Sequence, residues 1–408
     1  MGRLKEEKAR RLKTGGAKEG TAMCEGIEIT VEQLEQLEAG SFRLLDMRGA
    51  LTREYGMLPG AEPVSEEGLA ALASGEKPDE AARKIVVYCA RGEFSVGAAE
   101  RLREAGHEAY SLAGGYLAWL RAQMERQQAE EVAKRVETSI RKKYRRRLWC
   151  NFTKAIRQYD LVREGDRIAV CISGGKDSML MAKLFQELKL HNKFPFEVKF
   201  LVMDPGYSPE NRRVIEENAR KLNIPITIFE SNIFESVYHV DKSPCYLCAR
   251  MRRGHLYHYA KELGCNKIAL GHHYDDVIET ILMGMLWGAQ IQTMMPKLHS
   301  TNFPGMELIR PLYLIQEDDI KAWRDDNDLH FIQCACKFTD TCTTCANEEN
   351  RSKRVEVKEL IRRMKETNPE VEQHIFRSVE NVSLDTIIAY KSKGKKIHFL
   401  DRYDNPKE

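Results

Sequence analysis

The sequence has 408 residues, 42% of them hydrophobic, and a formal net charge of +3, which suits two or three domains with ordinary cores. No apolar run approaches the roughly 20 residues of a membrane span, and no apolar signal core is present, so a cytoplasmic protein without membrane contact is expected. The net charge is too small to indicate nucleic-acid binding unless the basic residues are clustered.

The N-terminal third of the chain predicts a tail followed by a small α/β domain. Residues 1–23 are basic and polar, and we expect them to be a disordered tail. Within residues 24–122, Phe42–Asp46 and Lys84–Tyr88 are predicted strands, and Val96–Glu104 is a predicted helix.

The second of these strands leads into the loop Cys89-Ala90-Arg91-Gly92-Glu93-Phe94-Ser95. A cysteine at the mouth of a loop just before a helix N-terminus lies where backbone amides stabilise a thiolate. Cys89 is therefore a candidate nucleophile. A phosphatase with a Cys-x5-Arg motif would need Arg where Ser95 stands, which argues against that activity.

This region resembles the rhodanese family in the Cys89 loop and in three other segments: Leu45-Asp46-Met47-Arg48, Leu58-Pro59-Gly60-Ala61 and Leu112 to Trp119. The resemblance implies that Cys89 carries sulfane sulfur as a persulfide. The chain departs from the family pattern at Phe94, where Arg is common, and at Met57, which replaces the usual His. A rhodanese fold without catalysis is the alternative.

Residues 123–148 are predicted to form a basic helical linker, because the segment has no Gly or Pro. Between Lys134 and Arg147, eight basic residues lie against one acid, Glu137: Lys134, Arg135, Arg141, Lys142, Lys143, Arg145, Arg146 and Arg147. Such a cluster suits contact with nucleic-acid phosphates or, equally, a solvated linker helix.

The loop Ser173-Gly174-Gly175-Lys176-Asp177-Ser178 lies between the β-branched run Arg167–Val170 and the helix-favouring segment Met179–Phe185. Its glycines allow successive N–H groups to face one anion, the helix N-terminus adds partial positive charge, and Lys176 adds a cation. The loop is a predicted phosphate cradle. It is not a kinase-type P-loop, since Val170 stands where that motif requires Gly.

Three further strands, separated by helical patterns, are predicted at 196–204, 224–229 and 266–271. Alternating strands and helices over residues 149–333 predict a doubly wound parallel sheet. Asp204 ends one strand, where such sheets bind ligands. The fourth strand leads into a second polar loop, His272-His273-Tyr274-Asp275-Asp276.

Six of the eleven cysteines form two groups, a Cys-x2-Cys pair at Cys245 and Cys248 and a later group at Cys334, Cys336, Cys342 and Cys345. In a chain without a secretion signal they indicate metal or redox chemistry rather than disulfides. Three arginines beside the first pair, Arg250, Arg252 and Arg253, add positive charge.

The phosphate loop resembles that of the N-type ATP pyrophosphatases. Together with Cys245–Gly254 and Gly271–Asp276, it resembles the tRNA 2-thiocytidine synthetase family over roughly residues 149–385. The resemblance implies an adenine nucleotide alpha hydrolase-like (HUP) fold, Lys176 and Asp177 in catalysis, and Mg²⁺ held by Asp275 or Asp276. The residues implied in ATP binding are Ser173, Gly174, Gly175, Lys176, Asp177, Ser178, Asp204, His272, Asp275 and Asp276.

The same resemblance implies a [4Fe-4S] cluster on Cys245, Cys248 and a third cysteine. That third ligand is Cys334, with Cys345 as the alternative, in a Cys-rich C-terminal extension at residues 334–408. A structural zinc site built from Cys245, Cys248, Cys342 and Cys345 is a competing interpretation.

Taken together, the domains predict a tRNA sulfurtransferase that splits ATP into AMP and diphosphate. ATP adenylates a pyrimidine carbonyl of tRNA, sulfur replaces the oxygen to give 2-thiocytidine, and Cys89 relays persulfide sulfur. The alternatives are thiolation of a tRNA uridine and an ATP-dependent sulfur transferase or desulfurase acting on a small molecule. The sulfur donor is a cysteine desulfurase persulfide, thiosulfate or sulfide, and homodimer formation stays open.

Overall fold

The computed structural model describes residues 26–74, 84–191, 193–231, 233, 244–332 and 353–403, without the side chains of 244–249 and 402. The predicted tail at 1–23 lies outside these ranges, as do Cys334 and Cys345. The chain divides into two compact units, Met1–Gln127 and Gln128–Glu408.

The first unit contains a five-stranded parallel sheet in the order β1-β5-β4-β2-β3. Its strands are β1 (Glu28–Ile29), β2 (Phe42–Asp46), β3 (Ala61–Pro63), β4 (Lys84–Tyr88) and β5 (Ala109–Leu112). Its helices are α1 (Val31–Glu35), α2 (Ala50–Arg53), α3 (Glu66–Ser74) and α4 (Glu93–Glu104).

Strand β4 lies in the middle of the sheet, and it has apolar side chains on both faces of the sheet. Val86 and Tyr88 pack into one core cluster, whereas Ile85 and Val87 pack into another on the opposite face. A run that is apolar without alternation is typical of a parallel strand covered on both faces. Cys89 therefore follows a strand whose last four residues are buried.

The division between the units falls within α5 (Gly115–Arg141), which is followed by a π-helix at Arg145–Trp149. Most of the predicted basic linker is thus helical. The exact domain boundaries remain predictions.

The second unit contains a six-stranded sheet in the order β10-β11-β9-β6-β7-β8. Its strands are β6 (Arg167–Ile172), β7 (Glu197–Asp204), β8 (Ile226–Glu230), β9 (Lys267–Ala269), β10 (Lys297–His299) and β11 (Glu307–Ile309). Its helices are α6 (Cys150–Gln158), α7 (Lys176–His191), α8 (Pro209–Lys221), α9 (Pro244–Glu262), α10 (Tyr274–Gly288), α11 (Glu317–Asp326), α12 (Lys353–Thr367) and α13 (Val371–Ser378). A two-stranded hairpin of β12 (Ala389–Ser392) and β13 (Lys395–His398) and a short helix α14 (Leu400–Tyr403) follow.

The order of the strands locates the binding crevice. From β6 the chain proceeds outward to β7 and β8 and then returns to β9 on the other side of β6. Ligands of open α/β sheets bind at the carboxyl ends of strands where this reversal occurs. The loops after β6 and β9 therefore border the expected site.

The prediction of an α/β protein with a doubly wound parallel sheet is confirmed, with one addition. Strand β10 pairs antiparallel with β11 at the sheet edge, while the other strand pairs of this sheet are parallel. Helix α7 is buried along most of its length, and its side chains join the main core around Phe152 and Trp323. This burial fixes the loop that precedes α7. Within the described ranges, no helix combines the length and apolar composition that crossing a membrane requires.

Candidate active site

The phosphate loop is a tight turn between β6 and α7. Gly174 has a φ of +84°, and a Cβ at this position would lie 2.7 Å from side-chain carbons of Ile215 and Ile332. Both the backbone angle and the packing therefore require glycine. Ser178 Oγ accepts a hydrogen bond from Ser173 N at 3.2 Å and donates one to the carbonyl of Gly175 at 2.9 Å, which closes the turn.

Lys176 is held between two carboxylates. Its Nζ lies 3.1 Å from Asp177 Oδ2 and 3.0 Å from Glu317 Oε1. Burial alone would raise the pKa of Glu317, but Lys176 and two other lysines, Lys358 and Lys321, hold it well below its ordinary value. The ammonium group is thus positioned by fixed negative charge. A cavity of about 610 Å³ opens beside it, lined in part by Gly175, Lys321 and Ile332.

The second polar loop surrounds one imidazole with acids. His273 is buried, and its Nε2 lies 3.6 Å from Asp276 Oδ2 and 3.9 Å from Asp177 Oδ1, while its Nδ1 lies 3.6 Å from Asp275 Oδ2. Burial lowers the pKa of His273, but the three carboxylates outweigh this effect and raise it. The structure thus brings the three predicted acids together around a histidine that the sequence analysis did not select.

The three carboxylates differ in the hydrogen bonds that they accept. Asp276 Oδ2 accepts a hydrogen bond from His273 N at 3.0 Å, and Asp275 Oδ2 accepts one from Glu317 N at 2.7 Å. Asp177 Oδ1 is buried and accepts no hydrogen bond from the described residues. Among the residues that the structure describes, no group of three or more His, Cys, Asp or Glu side chains is arranged to hold a metal ion. A Mg²⁺ site here would accordingly need oxygens from a phosphate or water, as Mg²⁺ sites commonly do.

Both loops line a cavity of about 370 Å³ at the switch point of the sheet. The loops approach so closely that a Cβ on Gly271 would lie 3.3 Å from Ser178 N. The predicted ligand-binding residues in the lining are Ser173, Asp177, Ser178, His272 and Asp276.

Asp204 has a different surrounding. Its Oδ1 accepts hydrogen bonds from the amides of Gly206 at 2.8 Å and Tyr207 at 2.7 Å, and Oδ2 lies 3.4 Å from Arg212 Nη1. Asp204 does not line the cavity described above. Its carboxylate shapes the turn after β7.

The far wall of this cavity is positively charged. Arg252 and Arg253 line it beside His272. Burial, assisted by the nearby Arg310, lowers the pKa of His272 to about 4, so this imidazole is neutral at pH 7. Arg310 is only 5% exposed, and burial together with Arg253 lowers its pKa to about 10. This wall can attract an anion, and Arg310 was not found from the sequence.

Helix α12 connects the two loops through a charge network. Arg354 Nη1 lies 3.3 Å from Asp276 Oδ1, and Lys358 Nζ lies 3.3 Å from Glu317 Oε2. Both cations also reach the buried Glu279, at 3.1 Å and 3.6 Å respectively. Burial raises the pKa of Glu279 to about 7, against the opposing effect of these cations. No sequence motif marked these contacts.

Cys89 lies at the base of a pre-formed loop in the first unit. Cys89 is 6% exposed, and its thiol accepts hydrogen bonds from Gly92 N at 3.1 Å and Ser95 Oγ at 3.5 Å. Burial raises the pKa of Cys89, but Ser95 and the loop amides outweigh it and hold the pKa below its ordinary value. A Cβ on Gly115 would lie 2.3 Å from the carbonyl of Cys89, so this close approach requires glycine.

The Asp46-Met47-Arg48 motif supports this unit from within. Arg48 Nη2 forms a buried ion pair with Asp46 at 2.6 Å and donates to the carbonyl of Gly56 at 2.7 Å. Its guanidinium also stacks on Tyr116, 3.7 Å from the ring centre. The motif thus has a structural role, since it holds the Cys89-facing segment that begins at Gly115. Phe94, in contrast, is 78% exposed at the start of α4.

Ser95→Ala is expected to shift the reactivity of Cys89 to higher pH. Because Ser95 donates a hydrogen bond that favours the thiolate, its loss should raise the pKa of Cys89. The pH dependence of iodoacetamide alkylation of Cys89, read by mass spectrometry, measures this midpoint. Ser111→Ala is the control, since Ser111 donates to Ser95 Oγ and not to the thiol, and should shift it less. An unchanged midpoint in Ser95→Ala would contradict the prediction.

The predicted cluster ligands cannot be placed. Cys245 and Cys248 belong to the first turns of α9, but their side chains lie outside the described part of the structure, as do Cys334 and Cys345 entirely. Their assignment remains a prediction.

The basic linker cluster separates into paired and unpaired residues. Arg141 forms two hydrogen bonds with the buried Glu187, Arg147 lies 3.5 Å from Asp319, and Lys143 pairs with Asp326. Arg145 and Arg146 are exposed and have no acidic partner among the described residues. Part of the cluster is therefore structural, and part remains available to a ligand.

Comparison with known families agrees with this arrangement. The rhodanese-like domain family matches residues 30–122, and the PP-loop domain family matches residues 144–340. Among solved structures, the U34-tRNA thiolase NcsA of Methanococcus maripaludis with its [4Fe-4S] cluster is 21% identical, with a TM-score of 0.45, over 58% of this chain and 80% of that one. The human single-domain sulfurtransferase TSTD1 is 24% identical, with a TM-score of 0.22, over 24% of this chain and 96% of that one.

Curated relatives match over a longer stretch. The tRNA-cytidine(32) 2-sulfurtransferase of Acaryochloris marina is 35% identical over 249 residues, which cover 60% of this chain and 84% of the relative. That of Vibrio parahaemolyticus is 36% identical over 255 residues, or 61% of this chain and 82% of the relative. With this identity over most of the relatives' length, the chain is a sulfurtransferase that belongs to the tRNA-cytidine(32) 2-sulfurtransferase family and also carries a rhodanese-like domain.

Proposed function

We propose that this protein thiolates a cytidine of tRNA to 2-thiocytidine at the expense of ATP. The observation that carries the proposal is the cavity at the switch point, where the phosphate loop and the loop after β9 line one space. The names of the curated relatives support tRNA as the substrate.

ATP would bind with its phosphates against the loop amides of Gly174 and Gly175 and against Lys176. The pyrimidine carbonyl oxygen attacks the α-phosphorus, and diphosphate leaves with the electrons of the broken P–O bond. Lys176 neutralises the charge that develops on diphosphate, as preorganised cations commonly do in such reactions. Sulfide then attacks the activated carbon and expels AMP.

Mg²⁺ on the phosphates would be held by Asp177 and Asp276. Both line the cavity, and the buried Oδ1 of Asp177 has no hydrogen-bond donor among the described residues. Asp275 is the weaker candidate, since it does not line this cavity. One or two carboxylates together with phosphate oxygens suit the coordination of Mg²⁺.

Sulfur would enter through Cys89. The thiol combines a lowered pKa with hydrogen bonds from Gly92 and Ser95, the surroundings in which thiolates attack sulfane sulfur. A cysteine desulfurase persulfide or thiosulfate would load it, and an external thiol reductant would then release the outer sulfur as sulfide and itself become a disulfide. The relay is a proposal on these grounds.

Nucleoside mass spectrometry of total tRNA, with and without this protein, tests the function. We expect 2-thiocytidine to disappear when the gene is deleted and to return with the wild-type chain. A lost thiouridine with unchanged 2-thiocytidine would instead favour the uridine alternative, and unchanged thionucleosides would favour a small-molecule substrate.

A [4Fe-4S] cluster on Cys245, Cys248 and Cys334, or Cys345 in place of Cys334, would supply an iron that can bind sulfur near the base. Protein purified without oxygen is expected to contain iron and acid-labile sulfide, and Cys245→Ala or Cys248→Ala should lose both. Cys150→Ala is the matched control, since Cys150 lies in α6. Stoichiometric zinc without sulfide would contradict the cluster and favour the zinc interpretation.

A further inference from the structure

The hairpin near the end of the described chain carries unusual positive charge. Four of its six residues from 391 to 396 are lysines, and all four are exposed: Lys391, Lys393, Lys395 and Lys396. Within the described ranges, none of these ammonium groups has an acidic partner at ion-pair distance. No acidic side chain among the described residues therefore neutralises this charge.

The geometry of the hairpin concentrates this charge. Lys393 and Gly394 form its turn with φ values of +49° and +79°, the conformation of a two-residue hairpin connection. The register then places Lys391 directly opposite Lys396. Like charges in facing positions destabilise a hairpin. An anionic ligand on this surface would remove that repulsion.

Two exposed aromatic rings follow the lysines. Phe399 is 39% exposed and Tyr403 is 73% exposed, with their ring centres 6.4 Å apart. The backbone of Phe399 is fixed by a hydrogen bond from its N–H to the carbonyl of Ile388 at 2.8 Å. Lysines that contact phosphates beside rings that stack on unpaired bases are the combination by which proteins bind RNA loops.

The length of α10 gives the approximate distance between the hairpin and the candidate active site. Tyr390, Lys391 and Lys396 line a cavity of about 600 Å³ together with residues 289–292, which directly follow α10. The other end of α10 carries Asp275 and Asp276. A helix of 15 residues spans about 22 Å, so the hairpin is roughly one helix length from the reacting atoms.

We propose that the four lysines, Phe399 and Tyr403 form an RNA-docking surface, in which the ammonium groups bind backbone phosphates of the substrate tRNA and the two rings stack on its unpaired bases. The inference rests on the proposed function, in which tRNA is the substrate. It adds a second contact region, distinct from the catalytic cavity. The absence of acidic residues from 391–396 argues for a polyanion.

The test compares tRNA affinity as a function of salt. Replacing all four lysines by Gln should weaken binding at least tenfold at low salt and reduce the slope of log K against log salt by about 3, since each phosphate contact contributes about 0.7–0.9. Phe399→Ala with Tyr403→Ala should weaken binding about tenfold with an unchanged slope, because stacking releases no counterions.

A control with the same change of charge replaces four exposed lysines on separate helices by Gln: Lys154, Lys189, Lys221 and Lys261. It should leave the slope within about 1 of the wild type, and ATP affinity should be unchanged in every variant. If the wild type binds tRNA and the hairpin variant keeps its affinity and slope, the docking surface is wrong while the proposed function stands. If the wild type binds no tRNA, both the surface and the tRNA substrate are wrong.

Discussion

Replacing Lys176 by Ala is expected to lower the rate of AMP formation about 10²–10³-fold, the usual effect of removing one group that stabilises developing charge. Lys176 is the first residue of α7 and is held between Asp177 and Glu317 beside the phosphate loop. Its loss leaves the charge on diphosphate without a cation and leaves two carboxylates facing the same space.

AMP release from labelled ATP in the presence of tRNA measures the effect. Lys189→Ala is the matched control, since Lys189 lies in the last turn of the same helix and is exposed. That variant should keep the wild-type rate. ADP as the product, or wild-type AMP formation in Lys176→Ala, would show that the loop does not act as proposed.

Cys89→Ser is expected to abolish thiolation that depends on thiosulfate or a persulfide donor, yet leave thiolation with free sulfide nearly intact. Serine keeps the hydrogen bonds of the loop but cannot carry sulfane sulfur, whereas sulfide needs no carrier. In the proposed relay, Cys89 and the thiolation site belong to one chain. This covalent link raises the effective concentration of the Cys89 persulfide at that site without any new contact.

The measurement is the yield of thionucleoside with each sulfur source. Cys150→Ser is the control thiol, because Cys150 is free and more exposed than Cys89, and it should behave as the wild type. Normal activity of Cys89→Ser with sulfane donors would make the rhodanese-like unit a docking module. Equal failure with free sulfide would instead assign Cys89 a structural role or a role in the chemical step.

The parts of the site that could be predicted are those encoded in short stretches. The glycines of the phosphate loop and the β-branched strand before it are local features, and the Cys89 loop is signalled in the same way. Their conformations follow from steric rules that act over a few residues.

The parts that could not be predicted are contacts between distant segments. Glu317, Arg354 and Lys358 lie far along the chain from Lys176, and a charged residue on a helix normally indicates a solvated face. Only the fold shows that these charges meet. The hydrogen bonds of Asp204 with the amides of Gly206 and Tyr207 are likewise visible only in the structure, and its predicted role in ligand binding stays a prediction.

The ion pairs made by α12 mean that the part of the chain after residue 332 cannot be removed without changing the candidate active site. Ile332, the last described residue before the Cys-rich segment, packs against Gly174, and Arg354, just beyond it, pairs with Asp276. The described residues on both sides of this segment therefore contact the two loops of the candidate active site. A chain shortened at 332 would also lose Arg354 and Lys358, the two cations that pair with the buried Glu279. The roles of the cysteines are therefore best tested by point substitution, because a chain shortened at 332 would also lose these contacts to the candidate active site.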